Sequence, residues 1–154
     1  MTSPEIRLTQ LVDAPPAAVW AVLTDIEGAA SHLSGIEAVE VLTPGPYAVG
    51  LRWRETRRML GMRATEEMVV AEVRPERRTV VTAEQGEVTY RTVFTLTERP
   101  GGRTELAMVF GADAPERPGL RGLISGLLGR IGLAATRKVM EQDLVDIAAA
   151  ATVG

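Results

Sequence analysis

A short helix that opens on proline, an unbroken series of amphipathic strands and a long helical stretch at the end frame this chain. A sheet with so few flanking helices must curl around the longer one to bury its apolar face, and that arrangement encloses space. The order of elements therefore predicts a container. It says less about the contents.

Glu5 to Asp13 alternates as a strand, with Ile6, Leu8 and Val12 on one face. Ala14-Pro15-Pro16 stops it. Proline fits the first turn of a helix, and Val19, Trp20, Leu23 and Ile26 follow at helical spacing, so a helix is predicted over about 16–24, with a short second turn over 27–33. From Ile36 the period changes to two. Strands are predicted near 36–43, 50–59, 62–74, 78–85, 87–98 and 103–111, punctuated by Pro44-Gly45-Pro46, Leu60-Gly61, Arg74-Pro75, Gln85-Gly86 and Pro100-Gly101-Gly102. Connections this short make the strands antiparallel neighbours.

The end of the chain reads as two pieces. In a continuous helix, Leu133, Thr136, Met140, Leu144 and Ile147 form one stripe, and its backward projection meets Gly129, Gly126 and Gly122. The apolar face of the preceding segment (Leu120, Leu123, Ile124, Leu127, Leu128, Ile131) lies about half a turn away at ~100° per residue. One straight helix cannot bury both, so a break is expected between Gly129 and Gly132, before a core-packing helix over about 133–150. The five glycines from Gly119 to Gly132 make the first piece the softer one, because each costs about 1 kcal/mol against alanine in a helix. This segment is expected to cover an open end of the sheet or to act as a lid, a homodimer contact or a membrane-touching element.

A chain of 154 residues is read as one domain, long enough to bury roughly 70% of its unfolded surface without metals or disulfides. It contains no cysteine, so neither a disulfide nor a thiolate site is available. The net charge of −3, with sixteen Arg and one Lys, argues against a nucleic-acid footprint. Met1-Thr2-Ser3-Pro4 has no basic region, and no transmembrane-length apolar run occurs, so a cytoplasmic location is expected. His32 is the only histidine; alone it anchors neither a zinc site nor a catalytic triad. The Gly126, Gly129 and Gly132 spacing follows no strand of a βαβ unit, which excludes a phosphate-binding reading. No cofactor or metal is expected.

The hairpin between Gly50 and Arg74 carries the most chemistry. A two-residue turn at Leu60-Gly61 pairs Met59 with Met62, Arg57 with Ala64, Glu55 with Glu66, Trp53 with Met68 and Leu51 with Val70 on one face. The other face pairs Arg54 with Glu67 and Thr56 with Thr65, as a solvated surface should. Arg52, Arg54, Arg57, Arg58 and Arg63 alternate between faces among glutamates, so they read as a charged surface rather than a basic patch. The apolar pairs turn the first face inward, and this places Glu55 and Glu66 opposite each other on a cavity wall. Two carboxylates about 5 Å apart at an effective dielectric near 20 repel by roughly 3 kcal/mol. Arg57 is expected to bridge both; otherwise one carboxyl should hold its proton near neutral pH. The cluster serves either as a rigid brace for the wall or as a polar patch for a ligand hydroxyl or carbonyl. Tyr90 shares the apolar face of its strand with Val88, Phe94 and Leu96, as a core tyrosine or with its hydroxyl in the cavity.

Val12-Asp13-Ala14-Pro15-Pro16-Ala17-Ala18-Val19-Trp20 followed by Leu23-Thr24-Asp25-Ile26 resembles the opening of the START-related (SRPBCC) superfamily of polyketide cyclases, lipid-transfer START domains and birch-pollen-allergen-like proteins. Gly50-Leu51-Arg52-Trp53-Arg54-Glu55-Thr56-Arg57, Ala64-Thr65-Glu66-Glu67-Met68 and the ending Arg137-Lys138 through Asp143-Leu144 resemble its bacterial polyketide cyclase/dehydrase-like branch. The resemblance spans essentially the whole chain. It implies an α+β helix-grip fold, a seven-stranded antiparallel sheet around the C-terminal helix, enclosing a cavity for an apolar or amphipathic ligand. It does not imply one reaction, since such folds host carriers, sensors and enzymes.

Three functions follow from these readings. The first is binding (sequestration, carriage or sensing) of a hydrophobic small molecule or lipid without catalysis, with Trp53, Glu55, Arg57, Glu66, Met68, Tyr90, Phe94, Met108, Leu133, Thr136, Met140 and Leu144 lining the pocket. The second is a cyclase, aromatase or dehydratase in which Glu55 or Glu66 moves protons and Arg57 or Tyr90 polarises a ketone. The third is an interaction protein that uses the 119–131 segment. Gating of ligand entry by Gly119 to Gly132, with the loop around Gly28 to Gly35 as second candidate, is a further expectation.

Overall fold

The computed structural model describes residues 5–59, 61–113 and 133–152. The first strand, β1 (Glu5–Val12), leads through Pro15-Pro16 into α1 (Pro16–Thr24), and α2 (Ala29–His32) follows. Then come β2 (Ile36–Val41), β3 (Arg52–Met59), β4 (Met62–Arg74), β5 (Arg78–Gln85), β6 (Val88–Arg99), β7 (Arg103–Asp113) and the terminal helix α3 (Leu133–Thr152). The strands form one seven-stranded sheet in the order β1-β7-β6-β5-β4-β3-β2. Every neighbouring pair is antiparallel. Consecutive strands from β2 to β7 are neighbours, as the short turns require, and the first strand closes onto the last. This is the helix-grip arrangement.

Pro15 starts α1 because its carbonyl accepts from the Ala18 and Val19 amides (3.0 and 3.2 Å) while Pro16, which has no N–H, occupies the first turn. The entry is tied to the neighbouring strand β7 by Thr104, whose buried hydroxyl donates to the Ala14 carbonyl at 2.8 Å. Strand β2 ends two residues earlier than its alternation suggests. The Thr43 hydroxyl there accepts the Arg52 amide at 2.9 Å, so a side chain replaces the ladder. At the other end of the sheet, Gly111 to Asp113 continue β7 by pairing with β6.

Two irregularities bend the sheet. The register shifts between Ile36 and Ala38 and between Val70 and Glu72 leave Glu37 and Ala71 as extra residues. A bulge of this kind increases local twist and reverses which face later residues occupy. Val70 and, three residues on, Val73 consequently pack in the same cluster, with Leu51, Trp53 and Val81. The main core lies between the β1-β7-β6 half of the sheet and the helices, around Ile6, Val12, Val19, Leu96, Leu106, Met140, Leu144 and Ile147. Removing these side chains from water supplies the main stabilising contribution, about 1.5–3 kcal/mol for each large aliphatic side chain.

The stripe read for the terminal helix is buried as expected at Met140, Leu144 and Ile147. The break placed between Gly129 and Gly132, and the apolar segment before it, lie outside the described residues. Among those described, no helix is long and apolar enough to cross a membrane.

Candidate functional site

The β3-β4 hairpin has the register its turn chemistry predicts. Met59 faces Met62, Arg57 faces Ala64, Glu55 faces Glu66 and Trp53 faces Met68. Val70 bonds through its amide to the Leu51 carbonyl at 3.0 Å. On the outer face the Thr56 and Thr65 hydroxyls meet at 2.9 Å. The outer ions are arranged differently from their strand pairing: Arg54 reaches Glu40 on β2 at 3.4 Å, and Glu67 takes Arg52 at 3.5 Å.

On the inner face, Glu55 is held from two sides, by Trp53 Nε1 at 3.3 Å and by Arg57 Nε at 2.7 Å. The rest of the guanidinium turns away from Glu66 and toward the terminal helix. Nη1 and Nη2 donate to Asp143 Oδ1 and Oδ2 at 3.1 and 2.9 Å, a bidentate geometry that fixes both groups. Burial discourages the charge on Arg57, but the Asp143 and Glu55 carboxylates outweigh it and raise its pKa. Burial also pushes Asp143 upward, against the opposing pull of Arg57.

Glu66 therefore lacks the bridge that its diagonal relation to Arg57 suggested. Its Oε1 accepts from Gln85 Nε2 at 3.2 Å instead, a neutral donor from β5. Burial and the facing Glu55 raise its pKa, with only partial relief from the Arg57 charge. The carboxylate pair is thus relieved on one side: Arg57 holds Glu55, while Glu66 keeps the neutral amide of Gln85 and a raised pKa. The bridge is redirected because Asp143 offers two oxygens to the guanidinium face that Glu66 meets only diagonally.

Two adjoining chambers flank this cluster. The first, about 110 Å³, lies beneath α1 and α2 and is walled by residues including Leu23, Ile26, Tyr47, Trp53, Thr79, Phe94 and Ile147. The second, about 150 Å³, lies beneath the start of α3 and is walled by Ala64, Glu66, Tyr90, Phe110, Thr136, Val139 and Met140. Glu55, Arg57, Met68, Thr92, Met108 and Asp143 line both, so the ion cluster sits in the partition. In the second chamber the rings of Tyr90 and Phe110 stack with planes 6° apart and centroids at 6.0 Å. Burial and the nearby Glu66 charge raise the Tyr90 phenol. In the first, Thr79 donates its proton to the Glu72 carbonyl, so the Tyr47 hydroxyl is the donor in their 2.7 Å bond.

The structure brings Glu55, Arg57, Glu66, Met68, Tyr90, Met108, Thr136 and Met140 together around the second chamber, and Trp53 and Phe94 around the first. Leu144 stands apart, buried in the main core and lining neither chamber. The role expected of the Leu133 side chain lies outside the described residues. Asp143, Tyr47 and Phe110 were missed. Asp143 had a legible signal, a carboxylate three residues from Met140 on the apolar stripe, and Phe110 continues the alternation from Met108. His32 bonds to Asp25 Oδ2 at 3.1 Å, and no group of metal-ligating side chains occurs among the described residues.

A curled sheet closed by a long helix over a largely apolar double cavity defines a helix-grip protein. Over residues 3–151 the chain matches the family described as polyketide cyclase/dehydrase and lipid transport, and it belongs to that family. Among solved structures it is similar to the ZhuI aromatase/cyclase of a Streptomyces species, with 21% identity, 98% of this chain and 94% of that one covered, and a TM-score of 0.80. It is also similar to a START superfamily protein of Mycobacterium smegmatis (14% identity, 90% and 97% covered, TM-score 0.62) and to norcoclaurine synthase of Thalictrum flavum (12% identity, 96% and 95% covered, TM-score 0.69). No curated protein matches the chain by sequence.

Proposed function

We propose that this protein binds an amphipathic small molecule in the double cavity, to sequester, carry or sense it in the cytoplasm without changing it. The observation that carries this reading is the meeting of two apolar chambers at one small polar cluster, Glu55, Arg57 and Asp143. Ligand sites are built in this way, with apolar walls for affinity and a few fixed polar groups for orientation. The cluster is braced on β3 and α3 at once, so it is positioned before a ligand arrives and loses little freedom on binding. Titration with a fluorescent apolar dye, alongside native mass spectrometry of the protein from its own host, tests the proposal. Saturable binding of one dye per chain, with a change in tryptophan fluorescence that Trp20→Phe retains, supports it; unsaturable binding alone rejects it.

A cyclase, aromatase or dehydratase activity is the second reading, favoured by Glu66 and Tyr90 lining one chamber with the carboxyl pKa raised. A carboxyl held nearer neutrality is suited to proton transfer. Turnover of a poly-β-ketone analogue that disappears in Glu66→Gln supports this reading, and binding without turnover rejects it. The interaction role considered for 119–131, including a homodimer contact or a lid, falls on residues outside those described.

A further inference from the structure

The geometry points to a cationic amphiphile, an apolar body carrying a protonated amine, as the ligand class of the second chamber. This inference rests on the binding reading above and adds the chemistry of the head group.

Among the described residues, the charged groups lining the second chamber are Glu55, Glu66 and Asp143 against the single cation Arg57. One guanidinium balances one carboxylate, so the cluster is neutral only if two of the three carboxyl groups hold protons. With three carboxyl groups against one guanidinium among the described residues, the wall is negative once a second carboxyl is ionised, and the titration belongs to the group rather than to one residue. His32, the other basic side chain lining the cavities among the described residues, sits in the first chamber and faces Asp25.

Arg57 is not placed to receive an acid head group. Its Nε, Nη1 and Nη2 each donate to Glu55 or Asp143. A carboxylate ligand would compete with both while entering the field of Glu66. An ammonium group meets the opposite situation. Glu66 faces Glu55 across the hairpin, and its hydrogen-bond partner is the uncharged amide of Gln85. A cation between the two carboxylates converts a repulsion into two charge-assisted contacts.

A second, independent feature favours the same charge. Tyr90 and Phe110 line this chamber as a stacked pair. Ring faces carry negative quadrupole density and attract ammonium groups. Met68, Met108 and Met140, also in the wall, supply adaptable apolar surface for the body of the ligand.

The test compares octylamine, octanol and octanoate, three probes with one chain length and three head groups, by displacement of the bound dye at pH 7.5 and physiological salt. Octylamine is expected to bind about tenfold or more tightly than octanoate, with octanol between them. In Glu66→Gln the ratio of amine to alcohol affinity should shrink. In the wild type, amine affinity should rise with pH as Glu66 ionises, facing Glu55, Arg57, Gln85, Tyr90 and Asp143, whereas octanol affinity should stay level. Octanoate binding as tightly as octylamine overturns the head-group inference and leaves the cavity reading intact. An amine preference that survives Glu66→Gln unchanged overturns the placement at this carboxylate. Failure of all three probes to displace the dye from folded protein overturns both.

Discussion

Arg57 and Asp143, 86 residues apart, join β3 to the middle of the terminal helix through two parallel hydrogen bonds of 3.1 and 2.9 Å. Asp143 is 4% exposed, so its charge is tolerable only with the guanidinium beside it. Arg57→Met leaves the Glu55 and Asp143 carboxylates inside without their cation, and removing one member of a buried pair costs about 3–5 kcal/mol. The double variant Arg57→Met/Asp143→Leu should lose less than the single one, because it removes the stranded charge as well. Urea unfolding of the two proteins checks the order; a single variant as stable as the wild type would show that Arg57 does not compensate the burial of Asp143.

Glu66 gives a stability effect of opposite sign. Its folded pKa is raised, chiefly by burial and then by Glu55. The folded state therefore binds this proton more tightly than the unfolded state does, and stability falls as pH rises from the ordinary carboxylate value through the raised one. Glu66→Gln should raise the melting temperature at pH 7.5 and have a smaller effect near pH 4, where an unfolded glutamate is also more than half protonated. A variant less stable than the wild type at both pH values would mean that Glu66 braces the wall.

The contrast between these residues shows what the amino-acid order could reveal. The pairing of Glu55 with Glu66 follows from a two-residue turn and a period of two, both local, so the hairpin and both of its faces were legible. The partner of Arg57 was not. It comes from a helix far along the chain, and periodicity says which face Asp143 occupies but not which strand that face meets. Leu144 was misplaced for the same reason: a helical stripe identifies the buried face without separating the part against the chambers from the part against β1 and α1. Tyr47 was hidden in the Pro44-Gly45-Pro46 region, where turn residues carry no pattern that aims a side chain. The closure of β1 onto β7 also lies beyond local pattern, because it depends on the curl of the whole sheet.

Asp146, one turn beyond Asp143, fastens the same helix to the connection before β2. Its Oδ2 accepts the Ser34 amide and hydroxyl at 2.9 and 2.8 Å, and Gln142 donates to Oδ1 at 2.8 Å. Although burial opposes the charge, these hydrogen bonds lower its pKa. A lowered carboxyl contributes stability that is complete above its unfolded pKa and is lost as pH falls through the folded one. Asp146→Ala should therefore melt below the wild type at pH 7, and the gap should narrow as pH drops beneath about 4. A gap independent of pH would assign the loss to packing instead of to the Ser34 bonds.

Gly35 is a close-approach position rather than a turn requirement. A Cβ there would stand 3.2 Å from Arg57 Nη1, tighter than ordinary van der Waals contact. Gly35→Ala should push the guanidinium off Asp143 and reproduce part of the Arg57→Met loss, about 1–3 kcal/mol, within the range for overpacking. The two substitutions together should cost less than their sum, since both act on one contact. Additive unfolding free energies would mean that the alanine acts on the backbone alone.

Thr92 lines both chambers, on β6 between Val81 of β5 and Phe110 of β7. Enlarging it to leucine narrows the partition from the sheet side without touching the ion cluster's own residues. A ligand confined to the second chamber should lose little, whereas one long enough to occupy both must give up its contacts in the first. Hexadecanol should accordingly lose about tenfold in affinity in Thr92→Leu, roughly the worth of two buried methylene groups, and octanol much less. The comparison carries its own control for folding, because a collapsed cavity weakens both alcohols equally. Undiminished hexadecanol affinity in a variant that still binds octanol would mean that the chambers do not act as one continuous site.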